Sequence, residues 1–127
     1  MIKITFLISL YSIFWGSISC QQAENKLGVF TNPVLSSGAD PWIIQKNGIY
    51  YYVNSSGRGL ILRKSSNIAD LKTSEQEIVW TPPEGTFYSK ELWAPELHLI
   101  KGKWYIYFAA DDGNNKNHRM YVIENIS

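Results

Sequence analysis

The sequence predicts an all-β fold built from repeated propeller blades, and three observations carry that prediction. First, two tracts share one layout. Ala39-Asp40-Pro41-Trp42-Ile43-Ile44 precedes Gly48-Ile49-Tyr50-Tyr51-Tyr52-Val53, and Leu92-Trp93-Ala94-Pro95-Glu96-Leu97-His98 precedes Lys103-Trp104-Tyr105-Ile106-Tyr107-Phe108. Pro41 and Pro95, Gly48 and Gly102, and Tyr51 and Tyr105 are each 54 positions apart. An internal repeat of about 40–55 residues made of short strands is the pattern of propeller blades. Second, aromatic residues make up 14% of the chain and charged ones only 18%, with Trp at 42, 80, 93 and 104, a balance that suits sheet packing. Third, no segment of useful length carries helical periodicity.

In chain order, the first unit spans about residues 35–80. It reads as a strand at Pro41–Gln45, a turn at Lys46-Asn47-Gly48 and a strand at Ile49–Asn54. A second turn follows at Ser55–Gly59, then strands at Leu60–Ser65 and Glu77–Trp80. Four short antiparallel runs are the content of one blade. Thr81-Pro82-Pro83-Glu84-Gly85 is the connection, because two prolines remove ladder donors. The second unit spans about residues 88–127 and begins in earnest near Trp93. Its expected strands are Glu96–Ile100, Trp104–Ala110 and Arg119–Glu124, with turns at Lys101-Gly102 and Asp111–Asn115. Two units cannot close a ring, since propellers have about four to eight blades. The sequence is therefore expected to be the front part of a longer protein.

Ahead of the first unit lies an export signal over residues 1–19. Lys3 supplies the positive start, Ile4 to Trp15 is an apolar run short for a bilayer span, and Ser17-Ile18-Ser19 puts small residues before Cys20. Cys20 is the single cysteine and has no intrachain disulfide partner. Lipidation of its thiol is the favoured reading, although Ser17 stands where a lipoprotein signal prefers an aliphatic residue. Plain secretion is the alternative. The expected location is the outer surface or periplasm of a bacterium, with the membrane touched only through a lipid at Cys20. Residues 20–32, polar over Gln21–Lys26, form a tether.

Removing residues 1–19 takes Lys3 from the net charge of +1 and leaves the side chains neutral. A neutral chain lacks the basic footprint that nucleic acid requires, so no nucleic-acid partner is expected. No phosphate-cradling glycine loop, nucleophile elbow, zinc spacing or dinucleotide fingerprint is present, and neither cofactor nor metal is expected. What remains is carboxylate chemistry, or carbohydrate binding on the aromatics, whose faces match the apolar C–H faces of sugar rings. At the repeat offset Asp40 corresponds to Ala94, so the acid is not required by the blade and becomes a candidate for chemistry. Its place before Pro41 is expected to hold it extended.

The Ala39-Asp40-Pro41-Trp42 tract, followed in the next unit by Trp93-Ala94-Pro95-Glu96-Leu97-His98, resembles glycoside hydrolase family 43. The resemblance is nearest to its α-L-arabinofuranosidases, including exo-acting enzymes on α-1,5-arabinan, and covers about residues 33–127. It implies a five-bladed β-propeller that hydrolyses glycosidic bonds with inversion, using three carboxylates at one end of a central channel. Carried over to this chain, it makes Asp40 the general base. The tuning aspartate and the glutamate acid would lie in later blades, so residues 33–127 hold only the base half of the site.

Three neighbours join Asp40 as substrate-binding candidates. Trp93 is expected to wall the sugar ring, with packing between blades as the alternative. Glu96 is expected to bind sugar hydroxyls, with a backbone amide as the alternative partner. His98, two residues on and so on the same strand face, lines the channel or serves as a structural hydrogen-bond partner. Asp111 and Asp112 are followed by Gly113-Asn114-Asn115 and read as a turn rather than a calcium loop. The leading expectation is an exported arabinan-degrading glycosidase acting on arabinose-containing polysaccharide or oligosaccharide, inactive in this length alone. The competing one is a noncatalytic carbohydrate-binding β domain that uses Asp40 for hydroxyl contacts.

Overall fold

The computed structural model describes residues 32–57 and 59–125. The export segment, Cys20 and all but the last residue of the tether lie outside the described residues. Seven strands form two antiparallel sheets. The first holds β1 (Trp42–Lys46), β2 (Ile49–Ser56), β3 (Gly59–Ser65) and β4 (Gln76–Trp80), in that order across the sheet. The second holds β5 (Lys90–Ile100), β6 (Lys103–Asp111) and β7 (Arg119–Glu124), again in chain order.

The repeat is written in the backbone as well as in the sequence. Asn47-Gly48 closes the first hairpin with φ of 51° and 78°, and Lys101-Gly102 closes the second with 50° and 85°. Two consecutive positive φ values between strands paired Lys46↔Ile49 and Ile100↔Lys103 are the two-residue hairpin turn that follows strand twist. Glycine at the second position takes that conformation without steric cost.

Between the facing sheets lies the core. Val53 and Leu60 from the first sheet meet Leu97, Ile106, Phe108 and Ala110 from the second, all nearly inaccessible. Around them pack Trp80, Tyr88 and Tyr121, with the Trp80 and Phe108 rings 5.0 Å apart, and Tyr51 lies 5.0 Å from Trp104. The repeat tyrosines thus divide as alternation requires. Tyr52 is buried on one face of β2, whereas Tyr51 packs against the inter-sheet core on the other.

Several boundaries differ from the expected ones, each for a physical reason. β2 runs on to Ser56, because Ser55 pairs with Leu60 and Ser56 with Gly59. A short 3-10 turn, Ile68–Lys72, interrupts the β3–β4 connection; the Asn67 side chain caps it and Leu71 is buried beneath the sheet. The largest difference is β5, which begins at Lys90 and passes straight through Pro95. Its register against β6 shifts between Lys90 and Trp93 and again between Trp93 and Glu96. Three residues of β5 oppose two of β6 at each step, so these are β-bulges. Pro95 sits in the second bulge, where its missing N–H costs no ladder bond. A sequence reading that treats proline as a strand breaker therefore starts the element too late.

Gly59 supplies a test of the packing. Its φ is 152°, and a β-carbon built there would lie 2.1 Å from the Trp80 carbonyl oxygen on the neighbouring strand. Gly59→Ala is expected to pry β3 from β4 and to lower stability by about 1–3 kcal/mol, read as a shift of the urea midpoint. An unchanged midpoint would mean that this close approach does not exist in solution.

Candidate active site

The site is assembled where the innermost strands of the two sheets meet. Trp42, the first residue of β1, donates its indole Nε1–H to the carbonyl oxygen of Leu97 in β5 at 2.9 Å. Immediately before it, Asp40 accepts the Ala94 backbone N–H on Oδ2 at 3.2 Å. The two residues that occupy the same slot of the repeat are thus hydrogen-bonded to each other. Both are exposed, and Asp40 keeps its second carboxylate oxygen clear of this contact.

Asp40 is not extended, contrary to what a residue before proline leads one to expect. Its φ is 51°, and Ala94, also before a proline, has 43°. Aspartate visits this left-handed region at modest cost, but alanine does not, and the conformation costs about 1–2 kcal/mol per residue. The bulges of β5 impose it on Ala94, and likewise on Glu91, whose φ is 51°. The turn aims the Ala94 amide at the Asp40 carboxylate. Strain at this position is therefore coupled to the orientation of the candidate base.

Trp93 is 42% exposed and stacks on His118, with ring centroids 4.0 Å apart and planes at 27°. This ring partner lies in the β6–β7 connection, immediately before β7. His118 in turn donates Nδ1–H to Oδ2 of Asp111 at 2.9 Å, and Asp111 also accepts the Gly113 amide on Oδ1 at 2.8 Å. Asp111 is wholly buried. Burial alone would raise its pKa, but the hydrogen bonds from His118 and Gly113 outweigh that and hold the carboxyl below its usual range. A carboxylate can only accept, so the His118 proton on this side resides on Nδ1.

Glu96 and His98 share the opposite face of β5 from Leu97, as their spacing requires. Glu96 Oε2 lies 3.1 Å from His98 Nε2, so the glutamate meets a side chain rather than a backbone amide. The imidazole of His98 sits 5.1 Å from the Trp42 ring and 5.6 Å, edge-on, from Tyr107. Both polar groups remain partly accessible, at 46% for Glu96 and 34% for His98.

Two groupings therefore stand near the seam: Asp40 with the backbone of Ala94 beside Trp93, and Glu96 with His98 beside Trp42. Sequence reasoning found four of these side chains but passed over His118 and assigned Asp111 to a turn. The available signal was an aspartate ending a central strand with a histidine seven residues later, just before the next strand. The enclosed spaces lie elsewhere. A cavity of about 460 Å³ opens between the sheets along Tyr51, Lys64, Glu77, Trp104 and Glu124, and Asp40, Trp93, Glu96 and His98 do not line it. Among the described residues no group of three or more His, Cys, Asp or Glu is placed to hold a metal ion.

An extracellular exo-α-(1→5)-L-arabinofuranosidase of Streptomyces avermitilis is 36% identical over 99 residues, which is 75% of this chain and 21% of that protein. An α-L-arabinofuranosidase of Humicola insolens is 27% identical over 124 residues, 91% of this chain and 26% of that protein. Among solved structures, the α-L-arabinofuranosidase from Lactobacillus brevis superposes with a TM-score of 0.70 at 34% identity, covering 77% of this chain and 34% of that one. An endo-arabinase from Bacteroides thetaiotaomicron shares the fold at a TM-score of 0.59 and 21% identity, over 79% of this chain and 35% of that one. This chain thus spans between a fifth and about a third of the relatives it matches. Their fold is the five-bladed β-propeller, of which the two sheets here are a part. Residues 30–127 match the model of Glycosyl hydrolases family 43, and the chain belongs to that family.

Proposed function

We propose that this chain supplies the base-bearing part of an exported, inverting α-L-arabinofuranosidase acting on arabinan or arabinose-substituted polysaccharide. The observation that carries the reading is Asp40: an exposed carboxylate at the seam of two blades, steered by the Ala94 amide rather than buried in an ion pair. The printed names of the similar proteins, α-L-arabinofuranosidases and extracellular exo-α-(1→5)-L-arabinofuranosidases, support the sugar and the linkage.

In this mechanism Asp40 takes a proton from a water molecule as the water oxygen attacks the anomeric carbon. The bond to the leaving oxygen breaks on the opposite face, and a carboxylic acid there protonates that oxygen. One displacement inverts the configuration, and the two carboxyl groups stand about 6.5–9.5 Å apart to admit the water. The acid is assigned to blades beyond the two described. The exposed row Met120 and Val122 on β7, on the side away from the core, supports a further sheet packed there. Trp93 offers an apolar wall to the furanose ring, while Glu96 and His98 are positioned to hydrogen-bond hydroxyls.

The word "extracellular" in the relatives' names supports export of this chain through residues 1–19. Within that reading Cys20 carries the lipid.

Three outcomes are expected. In the full-length enzyme Asp40→Asn keeps sugar binding but loses turnover by about 10²–10⁴-fold or more, measured as kcat on an aryl arabinofuranoside. Retained turnover would remove Asp40 from the mechanism. A polypeptide restricted to residues 20–127 shows no hydrolysis of the same substrate, since a base alone cannot assist the leaving group. Steady release of arabinose by that polypeptide would refute the placement of the acid. Finally, metabolic labelling with a fatty-acid analogue marks the wild type in its native host and spares Cys20→Ser, whereas no label on either protein would leave plain secretion.

A further inference from the structure

We propose that His118, held by Asp111, is a positioning residue that fixes the Trp93 indole at the mouth of the site and so sets affinity for the sugar ring. This rests on the reading that Trp93 walls that ring, but assigns a new role to two residues that do not themselves reach the ligand.

The Asp111 carboxylate is fully buried and gives up its hydration for two partners, the His118 imidazole and the Gly113 amide. His118 carries one unfavourable feature, since its Nε2 is buried with no hydrogen-bond partner among the described residues. Apolar pairs of similar volume often serve a fold as well as a buried ion pair. What the polar pair does provide is direction. The hydrogen bond to Asp111 fixes which way the imidazole plane faces, and the Gly113 amide in turn fixes Asp111. The His118 side chain is only 15% exposed, whereas the indole lying flat on it is 42% exposed. One face of Trp93 is therefore backed by a ring that cannot swing.

Backing matters here because Trp93 stands between the two bulges of β5, where the regular ladder is interrupted on both sides. Neighbouring strand pairs do not hold its rotamer as they would in an unbroken strand. A tryptophan free to rotate would lose side-chain entropy on each binding event, and preorganisation removes that cost. The next residue is Ala94, whose amide holds Asp40, so a shift of the indole and a shift of the base are one backbone unit apart.

The experiment uses the full chain as its host makes it, with α-1,5-linked arabinotriose as the probe. Binding is measured for wild type, Trp93→Ala, His118→Ala and His118→Phe, with near-UV circular dichroism to check the fold. His118→Ala is expected to weaken binding about three- to tenfold, the range of a lost aromatic pair. His118→Phe keeps a flat ring under the indole and is expected to stay within about twofold of wild type. Trp93 emission, taken as the difference from a Trp93→Phe chain, is expected to rise in His118→Ala as a contacting imidazole quencher is removed. The positioning role is overturned if Trp93→Ala binds weakly while His118→Ala binds like wild type. It is also overturned if a natively folded His118→Phe loses as much affinity as His118→Ala, or if Trp93 emission does not change. If instead Trp93→Ala binds like wild type, the sugar-wall reading itself has failed, and the proposal falls with it.

Discussion

The seam between the two sheets is the constraint on which the rest depends. The shared core lies between the facing sides of the two sheets, so β1 and β2 lie across β5. The Trp42–Leu97 hydrogen bond fixes that crossing at the inner edge, and Val53, Leu60, Leu97 and Phe108 fill the space behind it. Once the seam is set, the start of the first unit and the start of the second are brought side by side. Two residues separated by 54 positions then become partners, and a carboxylate with no structural counterpart in the second unit finds a backbone donor waiting.

Much of this architecture was legible in the sequence. The 54-residue offset predicted two like units, and Lys46-Asn47-Gly48 and Lys101-Gly102 were readable as the turns that close both hairpins. Tyr51 and Tyr52 were readable as packing residues from their place inside a repeat strand. Glu96 and His98 were readable as neighbours because residues two apart share a strand face. The family motif singled out Asp40 without any coordinates.

What was not legible arises where local rules conflict. A residue before proline should be extended, yet Asp40 and Ala94 both take positive φ because bulges and the seam outweigh the local preference. Pro95 lay before the expected start of this strand at Glu96, though a bulge accommodates it inside an eleven-residue strand. His118 was passed over because its only local signal is its spacing from Asp111, and Trp93 is brought to it by the tertiary fold. Asp111 and Asp112 illustrate the limit well. Adjacent and chemically alike, one ends a strand in the core and one caps an exposed turn. Only tertiary context separates them.

The contact between Asp40 and Ala94 has a consequence for how the site tolerates change over generations. The donor is a main-chain amide, so nineteen of the twenty amino acids supply it. Drift in the side chain at position 94 is filtered by backbone shape, never by loss of the hydrogen bond, and glycine would even relieve the left-handed strain. Proline alone deletes the donor outright. A side-chain partner would have exposed the carboxylate to every missense change at that codon. The repeat thus offers the base a form of mutational insulation: its orienting group is encoded by the chain's connectivity more than by any single letter of the sequence.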